Sequence, residues 1–146
     1  MKYAILYNPG HNRVYFETSL KLSISEFSIV SQNLTTACTN IERQNLFGVD
    51  YLTFETKEAL SAEDEKKIFD LSFIYALFQL ETIGEEIYFK PVRKNREDFV
   101  DEGIGAILKY TGKTNEIFTR MMINVAAASC TGGKENTPVR LLDPIA

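Results

Sequence analysis

The 146 residues carry 45% hydrophobic and 25% charged side chains with a formal net charge of −4, the composition of a chain with a core and not of a disordered segment. Two cysteines (Cys38, Cys130) and one histidine (His11) leave no disulfide framework, argue against a Cys/His metal site and fit a reducing, cytoplasmic setting. No apolar run reaches the roughly eighteen residues of a membrane span, and "MKYAILYNPG" is too short to be a signal peptide, so no membrane partner is expected.

"KYAILY" (residues 2–7) is a continuous apolar run closed by Asn8-Pro9-Gly10 and predicts a buried first strand. "RVYF" reads as a short strand or an extended lead-in. Leu20, Ile24 and Phe27 then recur at helical spacing behind a Thr18 or Ser19 cap, although Leu20, Leu22 and Ile24 also alternate as in a strand; a helix is favoured. "TTACTNIERQ" and "VDYLTFET" predict two strands joined around residues 45–48, rich in β-branched and aromatic residues. Ser61 with Asp64 three residues on is a capping-box variant, and Glu63, Asp64 and Glu65 place negative charge where the helix dipole favours it. Ile68 and Leu71 supply that helix with an apolar face. "FIYALFQL" is apolar on both faces and predicts a central strand. "EIYFKPV" follows as a further strand, with Pro91 pointing to a sheet edge. Strand, helix, strand, strand, helix, strand, plus one more strand, is the α+β ferredoxin-like pattern with helices on one face of an antiparallel sheet, here spanning residues 1–92.

Past Pro91 the pattern changes. Residues 1–86 have a net charge of −6 and residues 87–146 of +2. A basic bridge leads to a short helical stripe of Val100, Ile104, Ile107 and Leu108. "KYTGKTNEIFTRMMINVAAASC" sets a glycine turn before a second helix that Thr114 or Asn115 caps, with Ile117, Met121, Val125 and Ala128 on one face and Phe118, Met122 and Cys130 close by; most of this helix is expected to be buried. "VRLLDPIA" reads as an apolar strand ended by Asp143-Pro144.

"LLDPIA" resembles the start of the cofactor strand of class I S-adenosylmethionine-dependent methyltransferases, in which an acidic residue and then glycines follow an apolar parallel strand. "YTGKTNEIFTRMMINVA" is similar to the segment before that strand in the RNA methylase group and in amino-methylating DNA enzymes. The first half resembles, by topology, the N-terminal domain of THUMP-bearing tRNA guanosine methyltransferases. The resemblance implies an accessory domain at 1–92, and linker helices with the start of a Rossmann-like methyltransferase domain at 93–146, cut at its cofactor strand. It implies a parent enzyme that transfers methyl from S-adenosylmethionine to a nucleic-acid base amine, RNA weakly favoured over DNA. After Asp143-Pro144 the sequence shows no Gly-x-Gly loop, and the family's Asp/Asn-Pro-Pro-aromatic motif does not occur, so the isolated chain is expected to be inactive and to bind no cofactor. By the same resemblance Thr114, Asn115, Phe118, Thr119, Asp143 and Pro144 lie on the cofactor side.

Lys90, Arg93, Lys94, Arg96, Lys109 and Lys113 are candidate phosphate contacts for RNA or DNA along residues 90–120, with Arg120 as an extension; solvated linker charge is the plainer explanation. Only Tyr88 and Phe89 interleave aromatic rings among them, and these alternate as strand residues do. "GKTNE" could hold an anion at a helix N-terminus or simply cap it. His11 reads as a surface turn residue, and Cys38 and Cys130 as packing thiols. Glu85-Glu86 and Glu97-Asp98 are neighbouring turn carboxylates, and no nucleophile and base pair can be named. The other expected partners are the remainder of the methyltransferase domain and a second copy docking through apolar surface. The alternative function is a stand-alone binding or self-associating module without activity.

Overall fold

The structure is a computed structural model, and it describes residues 1–8, 16–94 and 116–131. Its elements are β1 (Lys2–Tyr7), α1 (Phe16–Val30), a 3-10 turn (Ser31–Asn33), β2 (Cys38–Leu46), β3 (Val49–Thr56), α2 (Ala62–Phe69), β4 (Ile74–Ile83), β5 (Glu86–Pro91) and α3 (Glu116–Thr131). The strands form one sheet in the order β2-β3-β1-β4-β5, antiparallel at every pairing. The result is an α+β fold. In it β1 and β2 run the same way with β3 between them, and β3 and β4 run the same way with β1 between them. Each crossover helix therefore joins strands that are not neighbours. No helix among the described residues is long and apolar enough to cross a membrane.

Strand alternation decides the core. Tyr3, Ile5 and Tyr7 of β1, Leu52 and Phe54 of β3 and Leu77 of β4 turn to one face, where they meet Leu20 and Phe27 of α1 and Ile68 and Phe69 of α2. Phe54 is the hub, with its ring centroid 5.3 Å from Tyr3 and 4.8 Å from Phe27. Burying each such side chain contributes about 1.5–3 kcal/mol.

Both hairpins turn through two residues, with positive φ at both in the first and at Gly84 in the second. Phe47 and Gly48 take φ of 54° and 85°, held by the Gly48 N–H donating to Asn45 Oδ1 at 3.1 Å. Gly84 takes 65° between Ile83 and Glu86. The sheet is also interrupted twice. The β1–β4 register shifts at Tyr7, where Tyr75 is the extra residue, and the β2–β3 register shifts between Thr39 and Glu42, where Asn40 has a φ of 51°. Such bulges bend a strand and increase its twist.

Three local expectations are corrected. α1 already begins at Phe16, so Thr18 and Ser19 lie inside its first turn and do not cap it, and Phe16 is helical instead of part of an extended lead-in. The capping box at Ser61 is half formed. Ser61 Oγ accepts from Asp64 N at 3.1 Å, but the Asp64 carboxylate accepts instead from Thr35 N (2.8 Å), Thr35 Oγ1 (2.7 Å) and Thr36 N (3.1 Å), because the chain entering β2 passes beside it. α3 is not mostly buried. It stacks on α1 as an outer helix, so Met121 alone among its described side chains is fully buried, while Phe118, Met122, Ile123 and Cys130 are exposed. Cys130 is therefore no packing thiol. Ile117, Val125 and Ala128 do share the half-buried side with Met121. The helical stripe at 100–108, the capping residues Thr114 and Asn115, His11, and the strand expected over residues 139–142 lie outside the described residues.

A polar bond set docks α3. Glu26 of α1, fully buried, accepts from Ser72 N at 3.0 Å, Ser72 Oγ at 2.5 Å and Asn124 Nδ2 at 2.7 Å. Asn124 Nδ2 also donates to the Asp70 carbonyl at 2.9 Å, and Asn33 Nδ2 donates to the Ala128 carbonyl at 2.9 Å. Asn124→Leu should therefore destabilise the chain by about 1–3 kcal/mol, because it leaves a buried acceptor short of a donor. Urea unfolding measures the loss, and an unchanged midpoint would show that α3 docks by apolar packing alone.

Candidate nucleic-acid interface

α1 and α2 cover one face of the sheet and α3 packs on α1, so among the described residues no helix packs on the other face. Alternation places Ala4, Tyr51, Thr53, Phe78, Leu80, Ile87 and Phe89 there. Phe89 on β5 touches three rings: Tyr51 at 5.4 Å, Phe78 at 5.6 Å and Phe47, on the β2–β3 turn, at 6.2 Å. β3 and β5 have two strands between them, which in a flat sheet separates them by roughly 14 Å. Ring contact across that span means that the sheet curls toward this face and makes a trough of it. The small side chains of Ala4 and Ala76 lie on the intervening strands. Phe47 is 78% exposed, so the trough has one open aromatic wall at a residue held at positive φ.

Cations flank the β5 side. Lys90, which alternation turns to the face opposite Phe89, is exposed and pairs at 3.5 Å with half-buried Glu81 across the β4–β5 ribbon, an arrangement worth little in water. Arg93 and Lys94 are exposed just past the end of the strand. The structure thus brings Lys90, Arg93 and Lys94 to the strand that carries Phe89. Phe118 and Thr119 lie elsewhere, in the first turns of α3 in the helix layer, Phe118 exposed and Thr119 half-buried. Arg96, Lys109, Lys113, Thr114, Asn115, Asp143 and Pro144 lie outside the described residues. Tyr51, Phe78 and Phe47 had no place in the sequence-based site. For Tyr51 and Phe78 the available signal was their alternation with Leu52 and Leu77, which turns them to the helix-free face; Phe47, on the turn, carried none.

The remaining polar groups are structural in character. Burial pushes the Cys38 thiol up to about 11, with the Asp64 charge adding to it, so it is not a ready nucleophile. Burial likewise pushes the Tyr7 phenol up to about 12, the Arg43 charge opposing and the Asp50 charge assisting, and its hydroxyl has no hydrogen-bond partner among the described residues. The Arg43 hydrogen bond, at 2.7 Å, holds the Asp50 carboxyl below its ordinary value. Among the described residues no three His, Cys, Asp or Glu side chains converge as a metal site. Comparison with family models, with curated proteins and with solved structures finds no match for this chain.

Burial alone would raise the Asp64 carboxyl, but the hydrogen bonds from Thr35, Thr36 and Ser61 outweigh it and hold the group below its ordinary value. A carboxyl depressed on folding contributes stability that is present above its unfolded value of about 3.9 and is lost as pH falls through the folded one. Stability should therefore decline on acidification below about pH 4, and Thr35→Val, which brings the folded carboxyl closer to its unfolded value, should lower stability at neutral pH and make that acid decline smaller. Urea midpoints followed down to about pH 2 provide the check; coincident acid limbs for the two chains would assign the loss to another carboxylate.

Proposed function

We propose that this chain is the substrate-recognition part of an S-adenosylmethionine-dependent methyltransferase that modifies an amine on a nucleic-acid base, RNA favoured over DNA. Residues 1–92 are read as a ferredoxin-like accessory unit with an added edge strand, a reading supported by the two interlocked crossovers and the strand order. The observation that carries the binding role is Phe89. Its ring sits at the centre of an aromatic trough on the helix-free face, on the same strand as Lys90 and just ahead of Arg93 and Lys94.

Unpaired nucleic acid is recognised by this combination of chemistries. Rings stack on bases whatever their identity, and cations follow the phosphates. A duplex offers its bases only at groove edges, so a ring-lined trough selects single strands, loops or bulges. Lys90 is already weakly held by Glu81, so its transfer to a phosphate costs little. Thr114, Asn115, Phe118, Thr119, Asp143 and Pro144 are the residues assigned to the cofactor side of the parent enzyme. The cofactor there supplies a methyl group for direct displacement by the base nitrogen. By itself the chain holds no complete set for that step. A second reading, a self-associating module with no activity of its own, draws support from the exposed edge of β5.

Binding of short single-stranded RNA and DNA, followed by fluorescence anisotropy against salt, tests the proposal. With about four phosphates neutralised, the log–log slope should lie near −3, and a flat response would remove the nucleic-acid reading. Phe89→Ala should weaken binding roughly tenfold with the slope kept, whereas Arg93→Ala with Lys94→Ala should flatten the slope by about 1 to 1.5. Full affinity in Phe89→Ala would move the site off the sheet. Calorimetry with S-adenosylmethionine should give no saturable heat, and a saturable isotherm would show that the cofactor site is complete within these residues.

A further inference from the structure

Among the described residues β5 is one of the two edges of the sheet, with no strand on its outer side: Glu86, Ile87, Tyr88, Lys90 and Pro91 are exposed and Phe89 is half-buried. The register shows which backbone groups face outward. Pro91 stands opposite Phe78, and the Val92 N–H donates to the Leu77 carbonyl at 2.9 Å. Hydrogen-bonded and non-bonded pairs alternate along an antiparallel ladder. Glu86, Tyr88 and Lys90 therefore turn their backbone groups toward β4, while Ile87, Phe89 and Pro91 turn theirs away from the sheet. Pro91, lacking an N–H, sits where a proline is tolerated. The outward donors are the N–H groups of Ile87 and Phe89.

We propose that this edge pairs with the β5 edge of a second copy of the chain, antiparallel and centred on Tyr88, so that two five-stranded sheets become one. A two-fold interface requires every contact to occur twice with the roles exchanged. Centring on Tyr88 sets Ile87 opposite Phe89 of the second copy. Each outward N–H then meets an outward carbonyl. On the helix-free face the same pairing puts an aliphatic chain against an aromatic ring; on the helix side it sets Glu86 opposite Lys90 at both ends, with the two Tyr88 rings adjacent between them. The neighbouring registers are poorer. Centring on Phe89 asks Pro91 for a donor it does not have and sets Tyr88 opposite Lys90, leaving Glu86 opposite Val92. Centring on Ile87 sets Phe89 opposite Glu85. Half-step registers place outward backbone groups against inward ones. Charge, donors and apolar side chains thus agree in one register, and the strand that satisfies them is β5 itself. This pairing does not rest on the nucleic-acid reading.

Sedimentation velocity over a wide range of concentrations tests it, with circular dichroism confirming that each variant is folded. The unaltered chain should show a reversible monomer–dimer equilibrium. Ile87→Pro removes an outward donor without touching the β4 ladder, and should weaken the dimer by about tenfold or more. Glu86→Lys and Lys90→Glu should each weaken it by about tenfold through like charges at both ends, and the combined reversal should restore it. A chain that stays monomeric at every concentration would overturn the proposal. So would a dimer indifferent to Ile87→Pro and the single reversals, or a folded double reversal that fails to recover.

Discussion

A buried carboxylate organises the helix layer. Glu26 sits in α1 with no exposed surface, and its oxygens are claimed by Ser72, ahead of β4, and by Asn124 in α3. A polar group in such a place is tolerable only if its hydrogen-bonding capacity is filled. The carboxylate therefore requires α1, the segment between α2 and β4, and α3 to arrive together. Once they do, the helices are committed to one side. Among the described residues, the same requirement leaves the opposite side of the sheet without a helix.

Among the described residues that side is closed by the curl of the sheet. The aromatic side chains of β3, β4, β5 and the β2–β3 turn collect around Phe89. Apolar area is thereby partly hidden without a second helix layer. The trough and the β5 edge are then two surfaces built from one strand. Its side chains on the helix-free face serve the trough, and its outward backbone serves the edge. In the proposed dimer the helix-free faces of two copies lie side by side across the joined strands, so a single strand of nucleic acid could run from one trough into the next.

Most of the architecture was legible in the residues. "KYAILY", the β2 and β3 runs, "FIYALFQL" and "EIYFKPV" fall on the observed strands, and Ser61 starts α2 as expected. Alternation carries these assignments because one face of each strand must meet the helices. What was not legible depends on contacts between distant residues. Hydrophobicity ranks Phe118 and Met122 of α3 as interior, yet the helix turns Asn124 inward because Glu26, 98 positions earlier, needs its amide. Asp64 looks like a capping-box partner until the chain at Thr35 is seen to pass beside it. For the candidate site, the cations of β5 and Phe89 were visible as a local stretch. Tyr51 and Phe47 join that ring only because the sheet curls, and curl is a property of bulges and pairing that no local window contains.

The two rims of the sheet differ, and the difference governs how far assembly could run. β2, the other rim, is broken by the bulge at Thr39 to Glu42 with Asn40 at positive φ, and its surface carries Glu42, Arg43, Gln44 and Asn45. An irregular, charged rim of this kind is a poor template for a further strand. Pairing of unlike rims would repeat without limit and build a fibre, whereas pairing of like rims uses up both and stops. In the proposed dimer the kink at Asn40 would act as a terminator: β5 would join, the β2 rim would not, and growth would end at two.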